Sequence, residues 1–228
     1  ANDPLTFLHV TKSEIDMSTA LNIYDRSVYE KAKTNLLQFF EQGILFKEQT
    51  DCFYIYELVM EGRSQTGLVC CSSVDDYENN IIKKHEFTRP EKEQDRINHI
   101  SITGAQTGNI FLAYRNVDVI DKIISAYKQE QQPVYDFVAV DGITHRVWVI
   151  GDAAVVKEIT TIFKNDVPCT YIADGHHRAA SAAKVRNEES AENNTEADRF
   201  LTTLFPANEL AIMPYNRVIK DLNGMRPE

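Results

Sequence analysis

The stretch Tyr171-Ile-Ala-Asp-Gly-His-His-Arg-Ala-Ala-Ser-Ala-Ala-Lys184 concentrates groups that bind anions and move protons. A short apolar run ends at Asp174, Gly175 permits a tight turn, and an alanine-rich helix follows almost at once. A helix beginning there offers unpaired backbone N–H groups and the positive end of its dipole, a natural seat for phosphate. Arg178, in the first turn, adds a planar donor fork for phosphate oxygens. His176 and His177 supply further donors or an acid and base near neutral pH. Asp174 reads as the helix cap, and Ala179, Ala180, Ala182 and Ala183 let the helix pack closely. The same residues also fit an ordinary capped helix start at the surface. No metal site is expected: adjacent helical residues diverge by about 100°, and no HExxH pattern is present.

A second cluster runs Lys83-Lys-His-Glu-Phe-Thr-Arg-Pro-Glu-Lys-Glu-Gln-Asp-Arg96. Thr88 is the expected N-cap, with Pro90 in the first turn and Glu91 at the capping-box position. Lys92 and Arg96, and separately Arg89 and Lys92, share helix faces. One reading is a solvated helix whose ion pairs contribute only a few tenths of a kcal/mol each. The functional reading turns Lys92 and Arg96 toward phosphates held at Gly175–Arg178. His85 or Glu86 then deprotonates a substrate hydroxyl or holds Mg²⁺. Phosphoryl transfer asks for little beyond positioning, cations around the phosphoryl oxygens and one base, and the two clusters contain those parts. His145 and Arg146 either extend the site or are strand surface. His9 and His99 are read as structural.

The elements that must position these groups show in the hydrophobic periodicity. Val28, Ala32, Leu36 and Phe40 predict a helix opened by Asp25 and stopped by Gly43. Phe53–Met60 and Gln65–Ser72 predict a hairpin, as do Tyr135–Val140 and His145–Ile150 around Asp141-Gly142. Asn109–Tyr114 reads as a strand, Asp118–Lys128 as a helix with Ile120, Ile123, Ile124 and Tyr127 on one side, and Asp152–Phe163 as a helix capped by Asp152. Cys169–Ala173 is the strand before Asp174, and Glu188–Glu196 reads as a mobile loop. Phe200–Phe205 and Leu210–Ile219 are the last expected strands. The expected class is α/β, α+β-like: a mixed, partly antiparallel sheet with packed helices. The chain is long enough for one domain over 1–228 or two closely packed subdomains, roughly 1–130 and 131–228.

Of 228 residues, 24 are Lys or Arg and 34 Asp or Glu, a net charge of −10. That balance argues against a nucleic-acid partner, whose footprint is a basic face. No apolar run approaches the ~18–20 residues that span a bilayer, so no membrane partner is expected, and no signal-peptide pattern is seen. Cys52, Cys70, Cys71 and Cys169 form no CxxC pair and lie in apolar runs. They are expected as buried reduced thiols, which favours a cytoplasmic location.

Asp174-Gly175-His176-His177-Arg178, followed by its small-residue helix, resembles the signature of a bacterial and archaeal family, domain of unknown function 1015. Phe7-Leu-His-Val-Thr-Lys-Ser-Glu-Ile-Asp16 is similar to that family's "FLHVTRPEID" segment. His85-Glu86-Phe87-Thr88 with Lys92 and Asp95-Arg96 is similar to its "HExT…K.DR" segment, and Met213-Pro-Tyr-Asn-Arg-Val218 to its "LPTHRVV" strand. The order holds over essentially the whole chain. Ala179-Ala180 stand where the family has Tyr-Glu, and Tyr215-Asn216 where it has Thr-His, which removes a histidine. Members of the family are longer at both ends, so the resemblance implies a piece of a longer protein.

The strand–GxHR–helix element also resembles the phosphate-binding element of the ParB/sulfiredoxin superfamily, which includes sulfiredoxin, nucleotide-dependent partition proteins and free-serine kinases. His176 stands where sulfiredoxin chemistry needs a Cys, and no helix-turn-helix supports partition. The resemblance therefore implies a nucleotide-dependent phosphotransferase acting on a small hydroxyl metabolite such as free serine, with ATP or ADP and Mg²⁺. In it Asp174, Gly175, His176, His177 and Arg178 bind phosphate, Glu86 is the base, and Lys92 and Arg96 stabilise charge. Asp174 caps the helix and can reach Mg²⁺. No Walker A motif is present. The alternatives are a phosphate-ester hydrolase using His176 or His177, a non-catalytic sensor of a phosphorylated metabolite or nucleotide, and a structural domain.

Overall fold

The computed structural model describes residues 3–18, 22–189, 195–214, 216, 219–221 and 223–224. In chain order these form helices α1 (Leu8–Thr11), α2 (Arg26–Glu41), α3 (Val74–Glu78), α4 (Pro90–Thr103), α5 (Asp118–Glu130), α6 (Ala153–Asp166) and α7 (His176–Glu189). The strands are β1 (Phe53–Met60), β2 (Arg63–Ser73), β3 (Ile82–Lys83), β4 (Ile110–Tyr114), β5 (Tyr135–Val138), β6 (Thr144–Ile150), β7 (Thr170–Asp174) and β8 (Arg199–Pro206).

The period-2 apolar runs pair as hairpins. In β1–β2, Tyr54 lies opposite Val69 and Met60 opposite Arg63; in β5–β6, Tyr135 lies opposite Val147. Long-range pairing then assembles one eight-stranded sheet in the order β3-β7-β4-β8-β2-β1-β6-β5. β7 runs parallel to β3 and β4 parallel to β8, while the remaining pairs are antiparallel. The fold is α/β with a mixed sheet, and that sheet takes strands from both halves of the chain.

Strand alternation sends Ile55, Leu68, Leu112, Trp148, Ile150, Ile172 and Leu204 to one face. There they pack with Val74 of α3, Ile120 and Ile124 of α5, Ile159 of α6 and three alanines of α7 as the main core. Ala179, Ala182 and Ala183 are almost fully buried, so the small side chains do bring α7 close to the sheet. α4 packs on α7 and α2 on α4, and Val10, Leu36 and Phe39 make a smaller core between α1 and α2.

Several local expectations are corrected. Phe40 is 47% exposed, and its neighbour Phe39 takes the buried place. Thr88 does not cap α4: Arg89 holds that position without a side-chain bond, and the Thr88 hydroxyl donates to Glu93 instead. The four thiols are free, but Cys71 is exposed and the others only half-buried. Alternation along β2 turns Cys70 toward the core and Cys71 to the opposite face. Leu210–Pro214 is irregular rather than a strand; Tyr215, Arg217 and Val218 lie outside the described residues. Of the loop expected over Glu188–Glu196, Glu188 belongs to α7, Thr195 begins a 3-10 turn, and 190–194 lie outside the described residues. No helix among the described residues is long and apolar enough to cross a membrane.

Candidate functional site

β7 delivers Asp174 to the sheet's end and α7 starts two residues later, with Gly175 at φ +99°, a backbone region that disfavours any side chain. Asp174 is not the helix cap. Its Oδ2 accepts from Arg178 Nη2 at 2.7 Å, one turn along. Among the described residues the amides of His176, His177 and Arg178 find no acceptor, leaving the donors of a helix N-terminus open.

Arg178 has a built seat. A Cβ placed on Gly175 would lie 3.0 Å from its Nη2 and 3.1 Å from its Nε, and one on Gly108 would lie 3.1 Å from its Cδ. Two glycines from separate segments therefore leave room for this side chain. Its Nε is shut off from water and has no acceptor. Arg178 faces a cavity of about 180 Å³ bounded also by Thr11, Arg96, His99, Ile100, Gln106, Thr107 and Gly108. The structure thus brings Arg96 and Arg178 to one cavity. Lys92 it places elsewhere, in a hollow with Tyr24, Tyr29 and Asp95.

The two histidines face other partners. His177 Nε2 accepts the Arg89 N–H at 3.1 Å, which fixes the entry to α4. His176 is 4% exposed; its Nε2 accepts the His85 N–H at 3.5 Å and its Nδ1 lies 3.6 Å from Glu86 Oε2. A backbone N–H can only donate, so Nδ1 carries the ring proton and points it at the carboxylate. The His85 and His176 rings meet edge to face at 4.5 Å. Burial, then the neighbouring His85, lowers the His176 pKa, and the opposing pull of Glu86 does not offset them. His176 is accordingly neutral at pH 7. Glu86 is 58% exposed, and neither it nor His85 lines the arginine cavity. Residues two apart on a helix point about 200° apart, so the Glu86–His176 pair and Arg178 flank opposite sides of the first turn of α7.

Glu93, which sequence reasoning leaves in a charged run, is 4% exposed. It accepts from Lys184 of α7 and from Thr88, and the Ser181 hydroxyl donates to its backbone carbonyl at 3.2 Å. Burial opposes its charge, but Lys184 and Thr88 outweigh that and hold the carboxyl below its usual range. This pair locks α4 against α7. The available signal was spacing: Glu93 lies one turn before buried Ile97. Gly108 gave no comparable local signal.

His145 and Arg146 do not extend the site. Five strand steps separate β6 from β7, about 24 Å at ~4.8 Å each. His145 Nδ1 lies 2.7 Å from the Tyr56 hydroxyl, and Arg146 donates to Glu57 and Asp136. His9 bonds Asp16 and His99 bonds the Val10 carbonyl, both structural contacts. Among the described residues no group of three or more His, Cys, Asp or Glu is placed to hold a metal ion.

The sequence matches, over residues 1–228, the family model described as a protein of unknown function (DUF1015). No curated protein and no solved structure matches it. Since the match covers both the strand–turn–helix with its arginine seat and the segments packed around it, the chain belongs to the DUF1015 family.

Proposed function

We propose that the protein binds phosphate at the start of α7 and transfers a phosphoryl group from a nucleotide, ATP or ADP with Mg²⁺, to a small hydroxyl-bearing metabolite, free serine being the first acceptor to test. The observation that carries this reading is the seat of Arg178 between Gly175 and Gly108, with a buried Nε that has no acceptor and a second guanidinium across the cavity. A donor kept that way costs about 1–3 kcal/mol, a cost carried to hold the guanidinium in its seat.

The nucleotide supplies the phosphoryl group and its Mg²⁺. Arg178 and the amides of His176, His177 and Arg178 hold phosphoryl oxygens, and Arg96 adds positive charge. The proton of the attacking hydroxyl leaves to water rather than to Glu86, which lies outside the cavity on the other side of the first turn of α7. His176, neutral, faces that carboxylate with its Nδ1 across 3.6 Å, too long for a hydrogen bond, and does not protonate it. His177 acts at one remove, by fixing the 85–89 segment.

A hydrolase that uses His176 or His177 as nucleophile finds less support, because both Nε2 atoms already face backbone N–H groups. A non-catalytic sensor of the same ligand is the second reading. Its specific support is the placement of Glu86 outside the arginine cavity.

Thermal unfolding against ATP, ADP, CTP, phosphoserine and inorganic phosphate, with and without Mg²⁺, tests the phosphate site. A ligand at ~100 times its Kd adds about 2.7 kcal/mol. At about 2–4 °C per kcal/mol for a chain of this size, the midpoint rises by roughly 5–11 °C. Arg178→Gln is expected to lose that shift and His145→Ala to keep it. Phosphoserine formed from serine then separates transferase from sensor. If no ligand raises the wild-type midpoint, the reading fails.

A further inference from the structure

We infer that the cavity shared by Arg96 and Arg178 is the pocket for the small metabolite itself, a short carboxylic acid bearing an adjacent O–H or N–H, and not for the nucleoside part of a nucleotide. The inference rests on the reading of the α7 start as the phosphate site and names what lies beside it.

Charge is the first argument. The chain carries a net −10, yet the cavity lining holds two guanidiniums and no Asp or Glu. Arg96 makes no ion pair with any described residue, and only one Arg178 nitrogen, Nη2, is paired. A carboxylate matches the planar donor fork of Arg96 in two-point geometry.

Proton bookkeeping on His99 is the second. His99 is 8% exposed, and its Nε2 lies 3.0 Å from the Val10 carbonyl oxygen. That oxygen can only accept, so Nε2 carries the proton and Nδ1 carries a lone pair. Nδ1 has no partner among the described residues and is not shut off from solvent, and His99 is one of the residues that line the cavity. The pocket therefore asks for a hydrogen-bond donor next to the anionic group.

Size is the third. About 180 Å³ lies below the ~300–1,000 Å³ of pockets that take drug-sized ligands. A space of that size favours a three-carbon hydroxy or amino acid over a nucleoside.

The test is titration calorimetry with serine, glycerate, phosphoserine, propionate and ATP on wild type and Arg96→Gln. Arg96 is exposed and unpaired, so the variant should unfold at the wild-type midpoint. Serine or glycerate should bind at least tenfold more tightly than propionate, which lacks the donor. Arg96→Gln should weaken the hydroxy or amino acid at least tenfold and ATP by a smaller factor. If ATP binds but none of the small acids does, the inference fails while the phosphate site stands. If Arg96→Gln weakens ATP as much as the acids, the cavity belongs to the nucleotide and the inference also fails. If the acids bind as expected and ATP does not, the pocket assignment holds and the nucleotide reading falls.

Discussion

The seat of Arg178 can be perturbed without touching any polar group. Gly108→Ala adds one methyl whose carbon would lie 3.1 Å from Arg178 Cδ, about 0.3 Å inside the 3.4 Å onset of ordinary contact. The φ of Gly108 is outside the left-handed range, so the backbone accepts alanine. Stability should change by less than about 1 kcal/mol, because reduced freedom of the unfolded chain offsets the crowding by roughly 0.4–1 kcal/mol. The guanidinium, however, must shift from its seat. Such a shift weakens a charge-assisted bond to an oxyanion, at most by its full worth of about 1.5–3 kcal/mol, so Kd rises by up to roughly 10- to 150-fold. Gly175→Ala crowds the same side chain, at 3.0 Å from Nη2, but at φ +99°. It should lose the same binding and in addition about 1–2 kcal/mol of stability, some 2–8 °C in midpoint. Urea unfolding and thermal unfolding of both variants, with and without saturating pyrophosphate, read both quantities. Wild-type pyrophosphate stabilisation in Gly108→Ala would refute the argument, since the arm whose seat was blocked would then not be the arm that binds.

Two further outcomes follow from the helix contacts. His176 has a pKa lowered mainly by burial, so the unfolded chain takes up a proton first as pH falls. Its contribution is complete above about pH 6.5 and is lost on acidification below it, so His176→Gln should flatten the fall in urea-unfolding free energy between about pH 6.5 and 5; an unchanged slope would count against a buried neutral imidazole. In the α4–α7 pair, Lys184 is 53% exposed and Glu93 is buried, so the partners are not equivalent. Lys184→Ala strands a buried carboxylate and should cost about 1–3 kcal/mol at pH 7, less than a fully buried pair because water reaches the ammonium. Glu93→Gln frees a lysine to solvent and should cost less. Acidification should narrow the gap as Glu93 of the Lys184 variant protonates, and the reverse ranking in chemical denaturation would show that Glu93 is not desolvated.

Local chemistry was legible in the sequence, and long-range geometry was not. Phe53–Met60, Asn109–Tyr114 and Cys169–Ala173 announce strands through alternation and β-branched content, and Asp25 and Asp152 announce helix starts as caps. The insertion of β7 between β3 and β4 depends on pairing between segments far apart in sequence, which periodicity does not encode. The Asp174–Arg178 run was legible as a strand–turn–helix, but the division of labour within it was not. His176 and His177 look like ligand donors in one dimension. In three, they accept the N–H groups of His85 and Arg89 and hold the 85–89 segment against α7. Lys92 and Arg96 share a helix face by spacing, yet only Arg96 reaches the cavity, because α7 and the 106–108 segment approach α4 from one side.

Asp174 explains how an acidic chain keeps an arginine ready for an anion. Without a partner, the Arg178 fork would sample many rotamers and pay their entropy on binding, up to about 2 kcal/mol for such a side chain. The 2.7 Å bond to Asp174 and the two glycine walls fix it beforehand. A carboxylate that competed strongly would defeat the arrangement. Asp174 is 74% exposed, and a pair of that kind contributes only ~0–1 kcal/mol. An oxyanion that also engages the three free amides makes more bonds than Asp174 does. It can therefore take over the guanidinium while Asp174 returns to water at little cost. The pair orients the arm but is too weak to block it, and the absence of any carboxylate from the cavity lining keeps the charge on Arg96 and Arg178 available.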